Sequence, residues 1–559
     1  MAEQAQNLIS HFFLDVEGLP ESAGVELMQS ILSVVVESSL HLPDVATIRV
    51  TDTALKWIDD KRLEPGKRIK VSAEGPQSKT AHPLFDGEII ELEPEFMVGA
   101  QNLTIRAFDV MHRLARGRRV RSFLNVTDGD VLNKIAAEAG MTAKAEQANI
   151  VHPYLFQNNE TDLEFLRGRA RAAGAVLFAD GRSIRFEPPK SEGEAIEMQW
   201  GANLQEFRPR MTTVNQVSSV TVRGWDPKTR KEIVGQAKHG DSVPQVGENR
   251  KPADMAQSAF NREAPMLSAS RPVRTQAEAD QMARALAGRH SSGFIEAEGV
   301  CIGDARIVAG TSVSLKALGD RFSGKYLVTA VRHVYSTHDG YQTHFSVSGQ
   351  EPTSLLKTLA HASAPNPAQS LVIGIVTDNQ DPEKAARVKV KFPWLSSDHA
   401  SDWARVVSVG AGAKRGIQFI PEVNDEVLVG FEQGDIHHPY VLGGLWNGID
   451  APPLEQGKAV SGGKVQQRVI QSRAGHLILL DDTDGAGGIT VQDKNGNTIM
   501  LDSASNKLKI NIKGDASIEC DGNLSFKAQG RVDIQGSAGA KLDGGGGMVD
   551  VKGSLINLN

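Results

Sequence analysis

Seven residues, Gly410-Ala411-Gly412-Ala413-Lys414-Arg415-Gly416, have nearly the spacing of a loop that cradles phosphate with backbone amides at a helix start. The last glycine comes one residue late, and residues 417–425 that follow are strand-like and contain Pro421. Without a helix start there is nothing to hold a pyrophosphate, and a hairpin loop is the expectation. His437 and His438 are metal-ligand types, but neighbours on a strand face opposite ways and no cysteine or third histidine is near. Asp481, Asp482 and Asp484 form the dense acidic set of the C-terminal region. Glycoside hydrolysis needs two carboxylates across a cleft, whereas this spacing reads as a turn. The chain has no Gly-x-Ser-x-Gly elbow, no His-Glu-x-x-His and no complete Gly-x-x-x-x-Gly-Lys-Ser/Thr P-loop. Cys301 and Cys520 are too distant in sequence for a disulfide framework or metal cluster, which fits synthesis in a reducing compartment. The expectation is a non-enzyme without catalytic, cofactor-binding or metal residues.

Nucleic-acid binding is weighed on charge. Phe392, Trp394, Trp403, Phe419, Phe431 and Tyr440 are aromatics on which bases can stack. Between Leu371 and Gly448, however, seven Lys/Arg face ten Asp/Glu, and from Ile470 to Asn559 nine face eleven. The whole chain carries a net charge of -7, so a phosphate-tracking surface is not expected and the aromatics read as core and interchain contacts. Arg113 to Arg121 (RLARGRRVR) is the positive cluster, expected to pair with acidic surfaces of a neighbouring subunit or sheath component.

At 559 residues with 5% aromatics and 54 glycines, the chain suits three or four β-rich domains. The first eighteen residues lack the basic start, apolar core and cleavage site of a secretory signal, and no apolar run reaches membrane-helix length. Synthesis in the cytoplasm is the expectation. Thr47–Val50, Arg68–Ser72 and Gly87–Leu92 read as strands of a small barrel. Helices are expected over Asp128–Gly140, with Asp128 as N-cap and Val131, Ile135 and Ala139 inward, and over Thr161–Ala173, with Leu163, Leu166 and Ala170 inward. Strands return at Ser218–Val222, Gly310–Leu315 and Tyr326–Tyr335, and residues 225–265 read as a long polar excursion. An Ala/Pro/Ser/Asn linker at His361–Ser370 precedes a five-stranded barrel of the OB kind, with strands at Leu371–Thr377, Arg387–Phe392, Trp403–Val409, Glu426–Glu432 and Pro439–Trp446. The domain reading is 1–365, 366–450, a connector at 451–475, and 476–559.

The last fifty residues step by eight: Gly514, Gly522, Gly530, a miss at Ala538, then Gly546. Between them lie aliphatic pairs spaced i, i+2, such as Ile518/Cys520, Leu524/Phe526 and Val532/Ile534. Both members of a pair point to one side of a strand, and glycine permits a left-handed corner. Strands this short, with one narrow apolar face, must stack on copies of themselves, along the chain or from other chains.

Several stretches together resemble the VgrG-like spike proteins of contractile injection machines, a family that takes in type VI secretion, phage baseplates and extracellular phage-tail-like particles. Phe108–Gly140, Phe156–Gly174, Gly224–Gly235 and Arg321–His333 resemble the hub, and GIVTDNQDPEKAARVKVKFPWL with EVNDEVLVGFEQGDIHHPYVLGGLWNG resembles the OB barrel. The resemblance implies a mainly β fold: a two-barrel α+β hub, an OB barrel, and a homotrimeric intertwined β-helical spike with Gly514, Gly522, Gly530 and Gly546 at its corners. It implies a tail tube protein at the hub, other baseplate components, possible effector cargo, and a target membrane contacted mechanically from an assembled or released particle. Some relatives carry a lysozyme domain after the barrel, but here only about thirty residues separate Trp446 from the strand near Leu477, too few for one. An effector domain beyond Asn559 is likewise not expected. Some spikes bind iron at a His-x-His tip, whereas His476 is the only histidine after residue 450. A separate PAAR-type tip protein is therefore expected on Ser554, Leu555, Ile556, Asn557, Leu558 and Asn559. The rival readings are a β-helical polysaccharide-degrading enzyme using Asp481 or Asp482, a cargo carrier, and a nucleic-acid binder.

Overall fold

Alternation decides what the N-terminal strands bury: along Val45–Thr51, Ala46, Ile48 and Val50 are fully buried while their neighbours are half-exposed. The computed structural model describes residues 12–557 except 75–79, 147, 191, 214–215, 227–228, 230, 239–243, 249, 269–271, 350–369, 394 and 396–397. The linker at 361–369, Trp394, Leu558 and Asn559 thus lie outside the described residues. The chain divides into two compact units, Met1–Leu445 and Trp446–Asn559.

The first unit is built on a ten-stranded sheet. Its strands are β1 (Phe12–Val16), β2 (Ile31–Ser39), β3 (Val45–Thr51), β4 (Arg68–Glu74), β5 (Ala81–Met97), β6 (Ala100–Asp109), β7 (Leu204–Met211), β8 (Ile295–Ile302), β9 (Ala330–Ser336) and β10 (Gly340–Val347). They lie in the order β1-β4-β5-β6-β3-β2-β9-β10-β8-β7. Chain-distant halves meet where β2 pairs antiparallel with β9, Val35 opposite Val334. Two separate cores sit on this sheet, one around Ile48, Ile69 and Ile105 and one around Phe294, Tyr326 and Phe345. The run Tyr326–Tyr335, expected as one strand, is two: it breaks at Val328 and Thr329, whose backbone amides bond to Thr311 and Ser346 instead. The stretch 225–265 contains a strand, Lys231–Ala237, and a helix, Pro252–Phe260, as well as loops.

Helix α1 (Asp128–Glu138) starts one residue away from the expected cap. Thr127 is the N-cap, its hydroxyl accepting from the Asp130 amide (3.1 Å) while Asp130 accepts from the Thr127 amide (2.9 Å). Asp128 is freed for an interior role, accepting from Arg169 Nε at 2.6 Å with His152 Nε2 at 3.4 Å. Helix α2 (Asp162–Ala173) repeats the capping box with Thr161 and Glu164, buries Leu163, Leu166 and Ala170, and ends at left-handed Gly174. A third helix, α3 (Gln276–Ser292), packs its alanines against the paired strands Ser219–Asp226 and Lys231–Ala237.

The barrel closes in the order β11 (Val372–Asp378), β12 (Arg387–Lys391), β13 (Ala404–Val406), β15 (Pro439–Gly444), β14 (Glu426–Phe431). Val376, Val388, Val390, Ala404, Val427, Val429 and Val441 fill it, and hub residues Tyr154 and Phe156 extend the same core. Five strands were expected here and five form; β13 is the shortest, ending before the expected Val409.

Candidate functional site

In the C-terminal unit a short helix (Gln456–Ala459) and a small hairpin (460–465) precede a five-stranded antiparallel meander: β16 (Gln467–Gln471), β17 (Leu477–Asp481), β18 (Gly488–Gln492), β19 (Thr498–Asp502) and β20 (Lys507–Asn511). β16 falls within the stretch 451–475 expected as connector. The registers place Ile470, Ile478, Val491, Ile499 and Ile510 opposite one another in one row across all five strands. A second row joins Leu480, Ile489, Leu501 and Leu508. Residues directly opposite share a face, so the sheet has two aliphatic ladders on one side. All nine side chains are 41% to 63% exposed, although Val, Ile and Leu in the first unit reach full burial. Exposed contiguous apolar surface of this size marks a site of association.

Beyond Ile512 the backbone bends at 513–514, 521–522, 529–530, 537–538 and 545–547, the eight-residue step of the glycines, and it keeps the step at Ala538. The intervening segments, such as 515–520 and 523–528, form no strand pairing within the chain. Ile518, Leu524, Phe526, Val532, Ile534 and Leu542 are all more than half exposed. The corners differ from the expected left-handed form. Gly546 has φ +93°, but Gly514, Gly522 and Gly530 lie outside that region, and a Cβ built on each of these three would meet nothing within 4 Å. Within one chain these three bends form without left-handed backbone, and no intrachain neighbour requires the missing side chain. At the end of the described chain, Ser554, Leu555, Ile556 and Asn557 are exposed.

The residues considered for chemistry are occupied otherwise. Ala411–Gly412 and Arg415–Gly416 pair as a small hairpin, the expected form of the glycine-rich loop. His437 and His438 sit in a turn, not on a strand, and both face Asp435, with His437 Nδ1 at 2.5 Å and His438 Nδ1 at 3.7 Å. Burial opposes ionisation of Asp435, but the hydrogen bond with His437 and the nearby His438 outweigh it and hold its carboxyl far below the usual range. No group of three metal-ligating side chains converges among the described residues. Asp481 accepts from Gln467 Nε2 (2.7 Å) and the Thr483 amide (2.9 Å), and Asp482 pairs with Arg468 at 2.5 Å. The hydrogen bond to Thr483 leads in lowering the Asp481 carboxyl, the opposite of what a general acid needs.

The Arg113–Arg121 cluster corrects an expectation. Four of its five arginines are paired within the chain: Arg113 with Glu88, Arg118 with Glu164 at 3.3 Å, Arg119 with Asp162 at 3.4 Å, and Arg121 with Glu138 and Asp162 at 2.6 Å each. Those acids lie up to 46 residues away, so only the fold reveals them. Of the barrel aromatics, Phe392 is core and lies tilted against Phe431 with ring centroids 5.6 Å apart, whereas Phe419 is 65% exposed.

Two family models match: the Alg8 N-terminal domain over residues 17–337, and the type VI secretion system/phage-baseplate injector OB domain over residues 372–446. The type VI secretion system spike protein VgrG5 of Pseudomonas aeruginosa is 30% identical over 143 residues, 24% of this chain and 16% of the relative. The spike protein VgrG3 of Vibrio cholerae is 38% identical over 71 residues, 12% of this chain and 7% of that protein. The chain thus aligns with only a small fraction of the curated relatives' length. The fold is similar to a chain of the Francisella PdpA-VgrG complex in its half-lidded form, with a TM-score of 0.54 at 10% identity, covering 91% of this chain and 90% of that one.

Proposed function

We propose, from the premise that the chain belongs to the Alg8 N-terminal domain family, that it is the homotrimeric central spike and hub of a contractile injection machine. It couples the tail tube to a membrane-puncturing needle. The single observation that carries the reading is the bare apolar face of the C-terminal unit, continued by unpaired extended segments. Fully burying one large aliphatic side chain is worth about 1.5–3 kcal/mol. The ladders leave roughly half of nine such side chains to be covered, on the order of 10 kcal/mol per chain before the cost of association.

Three copies answer the geometry. Apolar faces of three meanders meet on a common axis, and the segments between bends pair between chains, which removes free strand edges along the shaft. Stiffness along that axis transmits contraction force to a target membrane. The hub contributes two barrel-like halves per chain, in keeping with its two cores on one sheet, so a trimer presents six similar surfaces to a six-fold tube. A PAAR-type protein caps the end of the chain, where Ser554, Leu555, Ile556 and Asn557 are exposed, and cargo rides at the hub or tip. The particle assembles in the cytoplasm and acts outside the producing cell. The role is mechanical, in keeping with the spike proteins that the chain resembles.

The test is location. Particles purified with a tagged copy of the chain are imaged by electron microscopy. The tag belongs on the axis at the baseplate end of the tube; labelling along the sheath, or particles that assemble normally without the chain, would end this reading.

A further inference from the structure

The barrel's charges, net acidic by count, are sorted in space. Along β12, Arg387, Lys389 and Lys391 point outward between the fully buried Val388 and Val390. Arg405 on β13 stands directly opposite Arg387. Six of the barrel's seven Lys/Arg, namely Lys384, Arg387, Lys389, Arg405, Lys414 and Arg415, line one cleft of about 1690 Å³ between the barrel and helices α2 and α3 of the hub. Only Arg387 among these six is ion-paired, to Asp381 at 2.7 Å and Glu383 at 3.4 Å. Acids in the cleft wall are engaged: Asp435 by His437, and Asp402 by the Trp403 amide at 2.7 Å.

The cleft is preformed. Tyr154 donates to the Ala400 carbonyl at 3.0 Å, and Arg274 of the hub pairs with Glu432 of the barrel. Its floor is apolar and open, with Leu124, Val151 and Phe419 each more than half exposed. An apolar centre with a charged rim is the anatomy of a protein interface. Nucleic acid fits less well. Trp403 lies against Lys389 (5.2 Å) and Arg387 (5.9 Å), and Tyr440 against Arg405 (5.5 Å), so the rings on which bases would stack already carry cations.

The same barrel offers the complement. The loop Pro421-Glu422-Val423-Asn424-Asp425-Glu426 places three acids around an exposed valine. It is pinned to β11 by the Asn424 amide on Val376 O (2.9 Å) and the Val376 amide on Asp425 O (3.0 Å). It leads into β14, which touches β12 and β13 only through β11 and β15 and so lies across the barrel from them. We infer that the cationic cleft of one chain receives the acidic loop 421–426 of a second copy. A donor on one side and an acceptor on the other make a head-to-tail contact, the kind that closes into a ring. The inference rests on the trimeric reading and adds the interface that aligns the barrels. Its charges steer the correct register and reject a like-charged one.

The test uses the full chain, mixed from isotopically light and heavy pools, with carbodiimide to join lysines to carboxylates in contact. Mass spectrometry is expected to find interchain peptides joining Lys384, Lys389 or Lys414 to Glu422, Asp425 or Glu426. The double variant Lys389→Glu/Arg405→Glu should lower their yield about tenfold or more, and adding Glu422→Lys/Asp425→Lys to the same chain should restore interchain links, now between the new lysines and the new glutamates. Lys414→Glu/Arg415→Glu, on the exposed hairpin, gives the same reading independently of β12. A trimer without such links, or with links indifferent to charge reversal, overturns this interface while leaving the trimer standing. A chain that stays monomeric overturns both. Salt-sensitive oligonucleotide binding by the trimer that Lys389→Glu/Arg405→Glu abolishes would overturn the inference in favour of nucleic acid.

Discussion

Replacing Leu501 by alanine separates a covered apolar ladder from a bare one. Leu501 stands between Ile489 and Leu508 in its row and is 48% exposed in the single chain. If the face stays in water, truncation removes methyls already half solvated, and such surface changes cost within about 0.5 kcal/mol. If three meanders cover the face, the same truncation opens a core cavity, worth about 2–5 kcal/mol per copy for Leu→Ala. Three copies act in one assembly, so the trimer loses roughly 6 kcal/mol or more. The assay is guanidinium unfolding of the full chain at two protein concentrations. Association makes one transition concentration-dependent, which distinguishes it from unfolding of the hub. Leu501→Ala should move that transition strongly and leave the other in place. Lys509→Ala, on the opposite face and paired only with Asp502 at 3.0 Å, is the control and should move neither. Coincident curves for Leu501→Ala and wild type would refute the covered-face argument.

Cys520 is exposed and sits in the i, i+2 pair with Ile518 that the proposed trimer turns inward, whereas Cys301 is buried with its thiol on the Thr343 carbonyl (3.5 Å). A short bismaleimide should therefore link chains through Cys520 and leave Cys301 unmodified; exclusively unlinked chains would contradict the axial placement. Asp128→Ala should destabilise the hub transition by about 3 kcal/mol, because it strands the partly buried Arg169 guanidinium. Burial opposes ionisation of Asp128, but His152 and Arg169 together hold its carboxyl below the usual range, so the contribution persists at neutral pH and fades as pH falls below about 4. Asp109 behaves oppositely. Burial lifts its carboxyl to about 6, and the Asp44 carboxyl, its neighbour through the Asp44 amide (2.7 Å), is also raised. The folded state then holds protons that the unfolded state has lost, and stability falls as pH rises from about 4 to 6. Denaturation at pH 4 and pH 7 should show Asp109→Asn gaining on wild type by on the order of 2 kcal/mol between the two. His333, buried with a value pushed down to about 4, contributes the opposite slope in both proteins and cancels in the difference.

Much of this was legible in the residues, because short-range patterns control it. The barrel strands follow from β-branched alternation: Arg387-Val388-Lys389-Val390-Lys391 shows both the inward valines and the outward cations. Counting charges over the barrel concealed that row, since a net sum carries no position. Bends recur at the eight-residue step, and one falls at Ala538, which the glycine pattern counts as a miss; their backbone form is not written in the step, since Gly514, Gly522 and Gly530 bend without left-handed backbone. Strand β16 was missed because Gln467, Arg468 and Gln471 make it polar in isolation, and its apolar Ile470 acquires meaning only opposite Ile478. The Arg113–Arg121 cluster looked free for partners because its counter-charges, Glu88, Glu138, Asp162 and Glu164, arrive from other elements. The one-residue error in the α1 cap turned on Thr127 and Asp130 acting reciprocally, a signal present in the sequence as Thr-x-x-Asp.

The central claim is that the chain does not function as a single copy, and mass in solution tests it most directly. Sedimentation equilibrium of the full chain should return three times 60.2 kDa at micromolar concentration, and removal of the unit from Trp446 onward should weaken or abolish that state. A stable species of 60.2 kDa with the C-terminal unit intact would leave the aliphatic ladders bare in water and would contradict the spike account.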